Sequence, residues 1–155
     1  MKRILVPVDG SDDSLQAVRE AICQAKSPSG AKIHLLNVQP RIFSEETMIF
    51  TPVEKIDTYY YERSGKALAP AEKLLVEAGL PFVSHRLVGP VAETILEKQR
   101  QLGCDSIVMY THGHGRVMGA LLGSISAEVL HMAQVPVTLV TNATGPDFRA
   151  RLSAT

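Results

Sequence analysis

The feature that most constrains this chain is a regular alternation of short apolar runs with helical patterns. Apolar runs of strand length occur at residues 4–8, 33–38, 82–88, 105–110 and 135–140. Between them, apolar residues recur with the spacing of amphipathic helices at residues 15–25, 56–78, 92–102 and 125–133. This alternation predicts an α/β domain, in which a parallel sheet has helices on both faces and the connections are right-handed crossovers.

Local signals refine the boundaries of these elements. Residues 11–13 supply cap candidates for the first helix, and Ser124 is predicted to cap the last one. Pro70 predicts a bend in the long helix. The run at 82–88 is more polar than the other strands, which is typical of a sheet edge.

One segment, from Gln39 to Val53, follows neither period although it contains several apolar residues. A loop of this length is uncommon in a compact domain. Two interpretations stand side by side: a lid or contact surface, and a loop folded down onto the core.

Composition limits the classes of partner. With 155 residues the chain suffices for one domain with a single core, and 16 basic residues balance 16 acidic ones. This balance excludes a strong global attraction to nucleic acid or anionic membrane. The apolar runs are too short to span a membrane, and the first residues enter a strand pattern without a signal-peptide cleavage site. Cys23 and Cys104 match no metal spacing and are predicted to be buried thiols in a reducing compartment. We therefore expect a cytoplasmic protein.

The expected ligand site lies at the carboxyl ends of the strands, because open parallel sheets bind ligands where the strand order reverses. The candidate turns are residues 7–10 and residues 111–124. The second turn is rich in glycine and leads into a helix, whose first N–H groups are natural partners of phosphate oxygens. Gly123 has no Cβ to keep a phosphate from the backbone, and Ser124 and Ser126 add hydroxyl donors. The same residues also fit a turn whose serine caps only its own helix.

The binding free energy that such a loop supplies on its own is small. A helix end contributes about 0.3–1 kcal/mol towards an exposed anion, whereas a micromolar ligand needs about 8 kcal/mol. Adenine and ribose contacts must therefore supply much of the affinity. The loop lacks the lysine of a Walker P-loop and has Arg116 as its only fixed positive charge, so a bound triphosphate is expected to need Mg²⁺ or Mn²⁺.

Several separate stretches resemble the universal stress proteins. The sequence ILVPVDGS at residues 4–11 resembles that family's first strand and turn, and GP at 89–90 resembles its third strand-to-helix junction. The pattern continues with DSIVM at 105–109, with Thr111-His112-Gly113, nine intervening residues and then Gly123-Ser124, and with VPV at 135–137. The resemblance runs from Lys2 to about Thr141, so we predict one domain over residues 1–141 and a polar tail over residues 142–155.

The resemblance implies a Rossmann-like sheet, similar to that of the adenine nucleotide α-hydrolases, with strand order 3-2-1-4-5. It also implies a homodimer and, in one branch of the family, ATP bound through a Gly-x-x-Gly, nine-residue, Gly-Ser/Thr motif; ADP and AMP are not distinguished from ATP. Around the adenine and ribose it implies Pro7, Val8, Asp9 and Val38. At the phosphates it implies Gly113, Gly123, Ser124, Ile125 and Ser126.

The sequence departs from this motif at Tyr110, where the family has its first motif glycine. A tyrosine there either crowds the ribose or points to the opposite face of the strand. Asp9 likewise has two roles open to it, as a partner of the purine amine or ribose and as a cap of the following helix.

The remaining candidates carry no chemistry. His112 and His114 lack the acidic or cysteine partners of a metal site. No nucleophile elbow, Cys–His pair or carboxylate pair suggests catalysis. The sequence therefore predicts a regulator or sensor with no catalytic and no metal-binding residues, and at most slow ATP hydrolysis.

The last strand predicts how the chain assembles. In the implied strand order it lies at an edge, yet the segment from Val135 to Val140 is apolar, and unprotected edges pair with another chain. We predict an isologous dimer through this segment, with the alternative that the C-terminal tail covers it. A second hypothesis is a protein-interaction module that binds no nucleotide because Tyr110 blocks the pocket, and that acts through the segment from Gln39 to Val53.

Overall fold

Five parallel strands organise the chain, and helices cover both faces of the sheet. The computed structural model describes residues 1–111 and 123–141. The strands are β1 (Lys2–Pro7), β2 (Ala31–Gln39), β3 (Phe82–Val88), β4 (Ser106–Tyr110) and β5 (Val137–Val140), in the order β3-β2-β1-β4-β5. The helices are α1 (Leu15–Ala25), α2 (Glu45–Phe50), α3 (Val53–Glu77), α4 (Val91–Leu102) and α5 (Ser124–Met132). The predicted fold class and strand order are confirmed.

Each face of the sheet has its own hydrophobic cluster, because successive residues of a strand point to opposite sides. On β1, Val6 belongs to the cluster with α1 and α3, whereas Leu5 belongs to the cluster with α4 and α5. On β4 the same alternation places Tyr110 on the α1/α3 face and Met109 on the α4/α5 face. Each fully buried side chain of this size contributes about 1.5–3 kcal/mol.

The strand order reverses beside β1, and a crevice forms there because β1 and β4 separate at their carboxyl ends. β1 is paired with β2 as far as Pro7 opposite Leu36, while its register with β4 consists of Ile4–Ser106 and Leu5–Ile107. The Val8 N–H donates to the Leu36 carbonyl on β2, and alternate residues of a strand bond to opposite neighbours. Pro7 therefore faces β4 with no N–H to donate, and the two strands separate at this end.

The segment from Gln39 to Val53 is not the irregular loop that we predicted. Ser44 caps α2 by accepting a hydrogen bond from the Thr47 N–H at 3.2 Å, and Glu45 and Glu46 occupy the favourable first turn. None of the α2 residues is buried. The interpretation that this segment folds down onto the core is therefore wrong for α2, whose Ile49 and Phe50 are 76% and 86% exposed.

Several predicted details are also corrected. The N-cap of α5 is Gly123, and Ser124 is the first helical residue rather than the cap. The α1 helix begins at Leu15, and Ser11 acts one turn earlier, where its Oγ accepts from the Ser14 N–H. The α3 helix begins at Val53, earlier than the apolar pattern from Ile56 indicated, and it includes Pro70 as predicted.

The cysteines differ from each other. Cys104 is buried, and burial raises the pKa of its thiol to about 11, whereas Cys23 is exposed, so the prediction of two buried thiols is wrong for Cys23. Among residues 1–111 and 123–141, no helix is both long and apolar enough to cross a bilayer.

A histidine pair joins β2 to β3 on the α4/α5 side of the sheet. The His34 Nδ1 and His85 Nε2 atoms are hydrogen-bonded at 3.0 Å, and the rings stack at 5.3 Å between centroids. Burial, followed by the charge of Lys98, lowers the pKa of His85 to about 4, and burial also lowers the pKa of His34. The sequence assigned no role to these histidines, and the structure makes them a neutral packed pair.

Candidate functional site

A cavity of about 260 Å³ opens at the carboxyl ends of β1, β2 and β4, beside the first turn of α5. Its position at the reversal of strand order is the expected ligand site of an open parallel sheet. Eight of the predicted nucleotide-binding residues line it: Pro7, Val8, Asp9, Val38, Gly123, Ser124, Ile125 and Ser126. The ninth, Gly113, lies outside the described residues. The fold thus brings two groups from distant parts of the sequence to one crevice.

The β1 turn, residues 8–11, forms one side of the cavity. The Asp9 Oδ1 accepts hydrogen bonds from the Ser11 N–H at 2.9 Å and from the Ser11 hydroxyl at 2.5 Å. Asp9 therefore stabilises its own turn, an arrangement typical of aspartate in this position. The role in the turn and the predicted role towards a ligand are compatible, because Asp9 also lines the cavity.

Gly10 makes this turn possible. Its φ of +88° lies in the region that other residues rarely adopt, and a Cβ at this position would lie 3.0 Å from the Ala67 Cα of α3. Close backbone packing against α3 thus adds to the hydrogen bonds within the turn.

The α5 start, residues 123–126, forms the opposite side. Gly123 has φ −58°, caps the helix without a side-chain hydrogen bond, and donates its N–H to the Thr111 Oγ1 at 3.2 Å. A Cβ on Gly123 would meet no described atom within 4 Å. The first turn of α5 has no acidic residue. A helix N-terminus with open space above its cap and no carboxylate of its own fits an anionic group such as a phosphate.

Tyr110 lines the cavity, and its side chain also packs into the core. The side chain is 7% exposed and belongs to the cluster formed with α1 and α3, on the opposite face from Met109. Burial raises the pKa of its phenol, and the charges of Asp13 and then Asp9 raise it further. The side chain of Tyr110 thus lies on the α1/α3 face of β4 and still contributes to the lining of the cavity.

The sequence did not single out the apolar floor of the cavity. It is formed by Leu36, Val91, Ile95 and Met109, and Ser14 lies at the edge. Leu36, Ile95 and Met109 belong to the α4/α5 cluster. Their apolar periodicity predicts burial, and nothing in that periodicity separates a core residue from one that faces a ligand.

The charge of the described lining restricts its ligands. Asp9 is its one carboxylate, and no Lys or Arg is among the lining residues in the described part of the chain. Arg116, His112 and His114 lie outside that part. Within residues 1–111 and 123–141, no group of three or more potential metal ligands occurs. The described residues therefore offer amide and hydroxyl donors to an anion and apolar side chains to a flat ring.

Fold and cavity together define a doubly wound α/β protein with a ligand crevice beside its first strand. The chain belongs to the universal stress protein family, whose family model matches residues 1–141. It is 32% identical over 141 residues to universal stress protein MJ0531 of Methanocaldococcus jannaschii, an alignment that covers 90% of this chain and 81% of that protein.

Solved structures share the fold. The hypothetical protein MJ0577 superposes with a TM-score of 0.76 at 24% identity, covering 93% of this chain and 98% of that one. A universal stress protein in complex with cAMP gives a TM-score of 0.65 at 23% identity, covering 92% and 98%. A family member from Arabidopsis thaliana with AMP bound gives 0.62 at 18% identity, covering 96% and 95%. Some proteins of this fold thus bind adenine nucleotides.

Proposed function

We propose that this protein is a dimeric regulator or sensor that binds an adenine nucleotide (ATP, ADP or AMP) in the cavity between the β1 turn and the α5 start. The observation that carries the proposal is the pairing of an apolar crevice with a helix N-terminus whose glycine cap meets no side chain among the described residues. Relatives of the same fold that hold AMP or cAMP support it.

The proposed pose follows from the chemistry of the two sides. Pro7, Val8, Asp9 and Val38 would contact the adenine and ribose. The amides and hydroxyls of Gly123, Ser124, Ile125 and Ser126, together with Gly113, would hold the phosphates. With no lysine or arginine in the described lining, a triphosphate would be bound with Mg²⁺ or Mn²⁺ on its own oxygens.

The role is regulatory in this proposal. No side chain among the described lining residues is arranged as a general base beside an activated water: Asp9, the one carboxylate, holds the Ser11 N–H and hydroxyl. We propose at most slow, incidental ATP hydrolysis and a cytoplasmic location. Multiple turnover at rates on the order of 1 s⁻¹ or above would contradict the regulatory role.

The proposed dimer uses the β5 edge, from Val135 to Val140. Val137 and Thr138 are half-buried on this edge strand, and the neighbouring α5 exposes Leu130 and Met132. An apolar edge of this kind pairs readily with a second copy about a two-fold axis. Light scattering at micromolar concentration should give the mass of a dimer, and a monomer would contradict this part of the proposal.

Calorimetry tests the nucleotide site. AMP and ATP–Mg²⁺ should each give saturable heat with the intact protein, and a Gly123→Val, Ser124→Ala double variant should bind about tenfold or more weakly, a loss of at least ~1.4 kcal/mol. Ser44→Ala, which removes the cap of the distant α2, is the matched control and should bind like the parent protein. No binding at millimolar nucleotide, or equal binding by the double variant, would refute the proposal. Mass spectrometry of ligand released from the purified protein would identify the nucleotide.

A second candidate is a protein-interaction module that binds no nucleotide. The observation that favours it is the apolar surface around α2, where Ile42, Met48, Ile49, Phe50 and Val53 are exposed. A second observation in its favour is that Tyr110 belongs to the lining of the cavity. The calorimetric experiment separates the two candidates, since only the first requires nucleotide heat.

A further inference from the structure

We propose that Asn37 is a positioning residue of the nucleotide site: its buried side-chain amide holds the backbone of the β1 turn in the shape that receives the ligand. This role rests on the proposed function, and it concerns a residue that is not among the residues lining the cavity. Asn37 lies on β2 and is 2% exposed.

The amide group of Asn37 has partners on three elements. Its Nδ2 donates to the Val8 carbonyl at 2.8 Å. Its Oδ1 accepts from the Ser64 hydroxyl of α3 at 3.0 Å and from the Gln39 Nε2 at 2.7 Å. The Val8 carbonyl only accepts, so the amide nitrogen must face it, and the orientation of the side chain is fixed by the network.

The contact with Val8 extends the sheet beyond the end of β1. The last β1–β2 register pair is Pro7 with Leu36, and the Val8 N–H donates to the Leu36 carbonyl at 2.9 Å. One residue further, Val8 stands opposite Asn37, and the side chain of Asn37 provides the hydrogen bond to the Val8 carbonyl. Both backbone polar groups of Val8 are therefore bound to β2 at the point where the chain turns away towards Asp9.

This arrangement matters for binding because Val8 and Asp9 both line the cavity. A turn that is already ordered in the free protein loses less conformational entropy when the ligand binds. Removal of the Asn37 donor leaves a carbonyl with no partner beside the site and frees the turn to adopt other shapes. The effect should therefore appear in nucleotide affinity and in the mobility of the β1 turn.

The matched pair of variants is Asn37→Asp and Ser64→Ala. N37D keeps the shape and the acceptor oxygen but replaces the donor that faces Val8. S64A removes a hydroxyl from the same buried network, since Ser64 is as buried as Asn37, and leaves the donor to Val8 in place. At pH 7.5, N37D should bind AMP about tenfold or more weakly than the parent protein in calorimetry, whereas S64A should stay within about twofold.

Acidification provides a readout that a general loss of packing would not produce. Burial raises the pKa of an introduced carboxyl, and once protonated that group again donates to the Val8 carbonyl. The ratio of AMP affinities between the parent protein and N37D should therefore shrink as the pH falls from 7.5 to 5.5, while the ratio for S64A stays constant. Equal losses in both variants, or parent-like binding by N37D at pH 7.5, would overturn the proposal.

Hydrogen exchange separates this proposal from the nucleotide proposal itself, and it also covers an N37D variant that fails to fold. In the nucleotide-free parent protein the Asn37 side-chain amide should exchange slowly, and in folded N37D the amides of residues 8–11 should exchange faster than in S64A. Rapid exchange of the Asn37 amide in the parent protein would overturn the positioning role. Absence of AMP binding by a parent protein with a protected Asn37 would instead overturn the proposed function.

Discussion

The β1 turn and the α5 start face each other across one cavity, and they are built in opposite ways. The β1 turn is held from several directions, by the Asn37 amide, by the Ser11 contacts of Asp9 and by the close approach of Gly10 to Ala67. The α5 start has a glycine cap without a side-chain hydrogen bond, and no atom of the described residues lies within 4 Å of where a Cβ on that glycine would be.

This difference indicates that the two sides of the cavity have different roles in binding. The side proposed to receive adenine and ribose has its shape set by the protein. The side proposed to receive phosphate keeps donors and space for an anion that comes from outside. Substitutions in the β1 turn should therefore lower the stability of the fold, whereas substitutions at the α5 start should weaken binding with a smaller change in stability.

The two glycines give the largest expected contrast. Gly10→Ala places a Cβ 3.0 Å from the Ala67 Cα at a φ of +88°, so it should lower the free energy of unfolding by about 1–3 kcal/mol. Gly123→Ala meets no described atom within 4 Å at a φ of −58°, so it should cost only the poorer capping by alanine, about 0.5–1 kcal/mol. Urea denaturation of the two variants measures both values. Equal losses of unfolding free energy in the two variants would contradict the proposed difference between the β1 turn and the α5 start.

Serine-to-alanine variants on the two sides of the cavity should show the same difference in stability, with smaller values. The Ser11 hydroxyl donates to Asp9 and accepts from the Ser14 N–H, so Ser11→Ala should cost about 0.5–1.5 kcal/mol. Ser124 is exposed at the first position of α5, and Ser124→Ala should leave the midpoint of thermal unfolding nearly unchanged. Thermal unfolding followed by circular dichroism measures the midpoint of both variants. A larger decrease of the midpoint for Ser124→Ala than for Ser11→Ala would contradict the different roles of the two sides.

A pH titration sharpens the comparison by acting on neither side of the cavity. Burial lowers the pKa of His85 to about 4 in the folded protein, below the 6.5 that is usual for histidine, so the unfolded chain takes up protons first as the pH falls between these values. Stability should therefore decrease from pH 6.5 to 5, above the usual range of carboxyl groups. His85→Gln should reduce this slope, as measured by urea denaturation at each pH. An unchanged slope would exclude the pair as its source.

The smallest effect is expected at α2, which contributes to neither side. Phe50 is 86% exposed, so Phe50→Ser should change the free energy of unfolding by no more than about 0.5 kcal/mol. Nucleotide affinity should also stay constant in calorimetry. A large loss of stability would mean that α2 is packed in solution.

The fold was largely predictable from the sequence because the apolar residues of its strands and of most helices recur with the spacing typical of each element. The strand-to-helix turns at residues 7–10 and at Gly123 could be located from the same pattern, since ligands bind where parallel strands end. The helix α2 was not predictable, because its six residues are all exposed and show no apolar periodicity that distinguishes them from a loop.

The parts of the site that escaped prediction depend on long-range contacts. Asn37 stands next to the apolar residues Leu35, Leu36 and Val38 of β2, a signal of a buried polar network, but its partners Val8 and Ser64 are distant in sequence. The face of the sheet on which Tyr110 lies depends on which residues of β4 point towards α1 and α3. The pairing of His34 with His85 depends on the register between β2 and β3. Sequence patterns identify such residues as unusual without identifying their partners.

Amide chemical shifts during an AMP titration test the central claim most directly, because they report on both sides of the cavity at once. The account predicts saturable shifts concentrated in Val8 and Asp9 on one side and in Gly123, Ser124 and Ser126 on the other. Shifts confined to other surfaces, or no saturable shift with millimolar AMP or ATP–Mg²⁺, would contradict it.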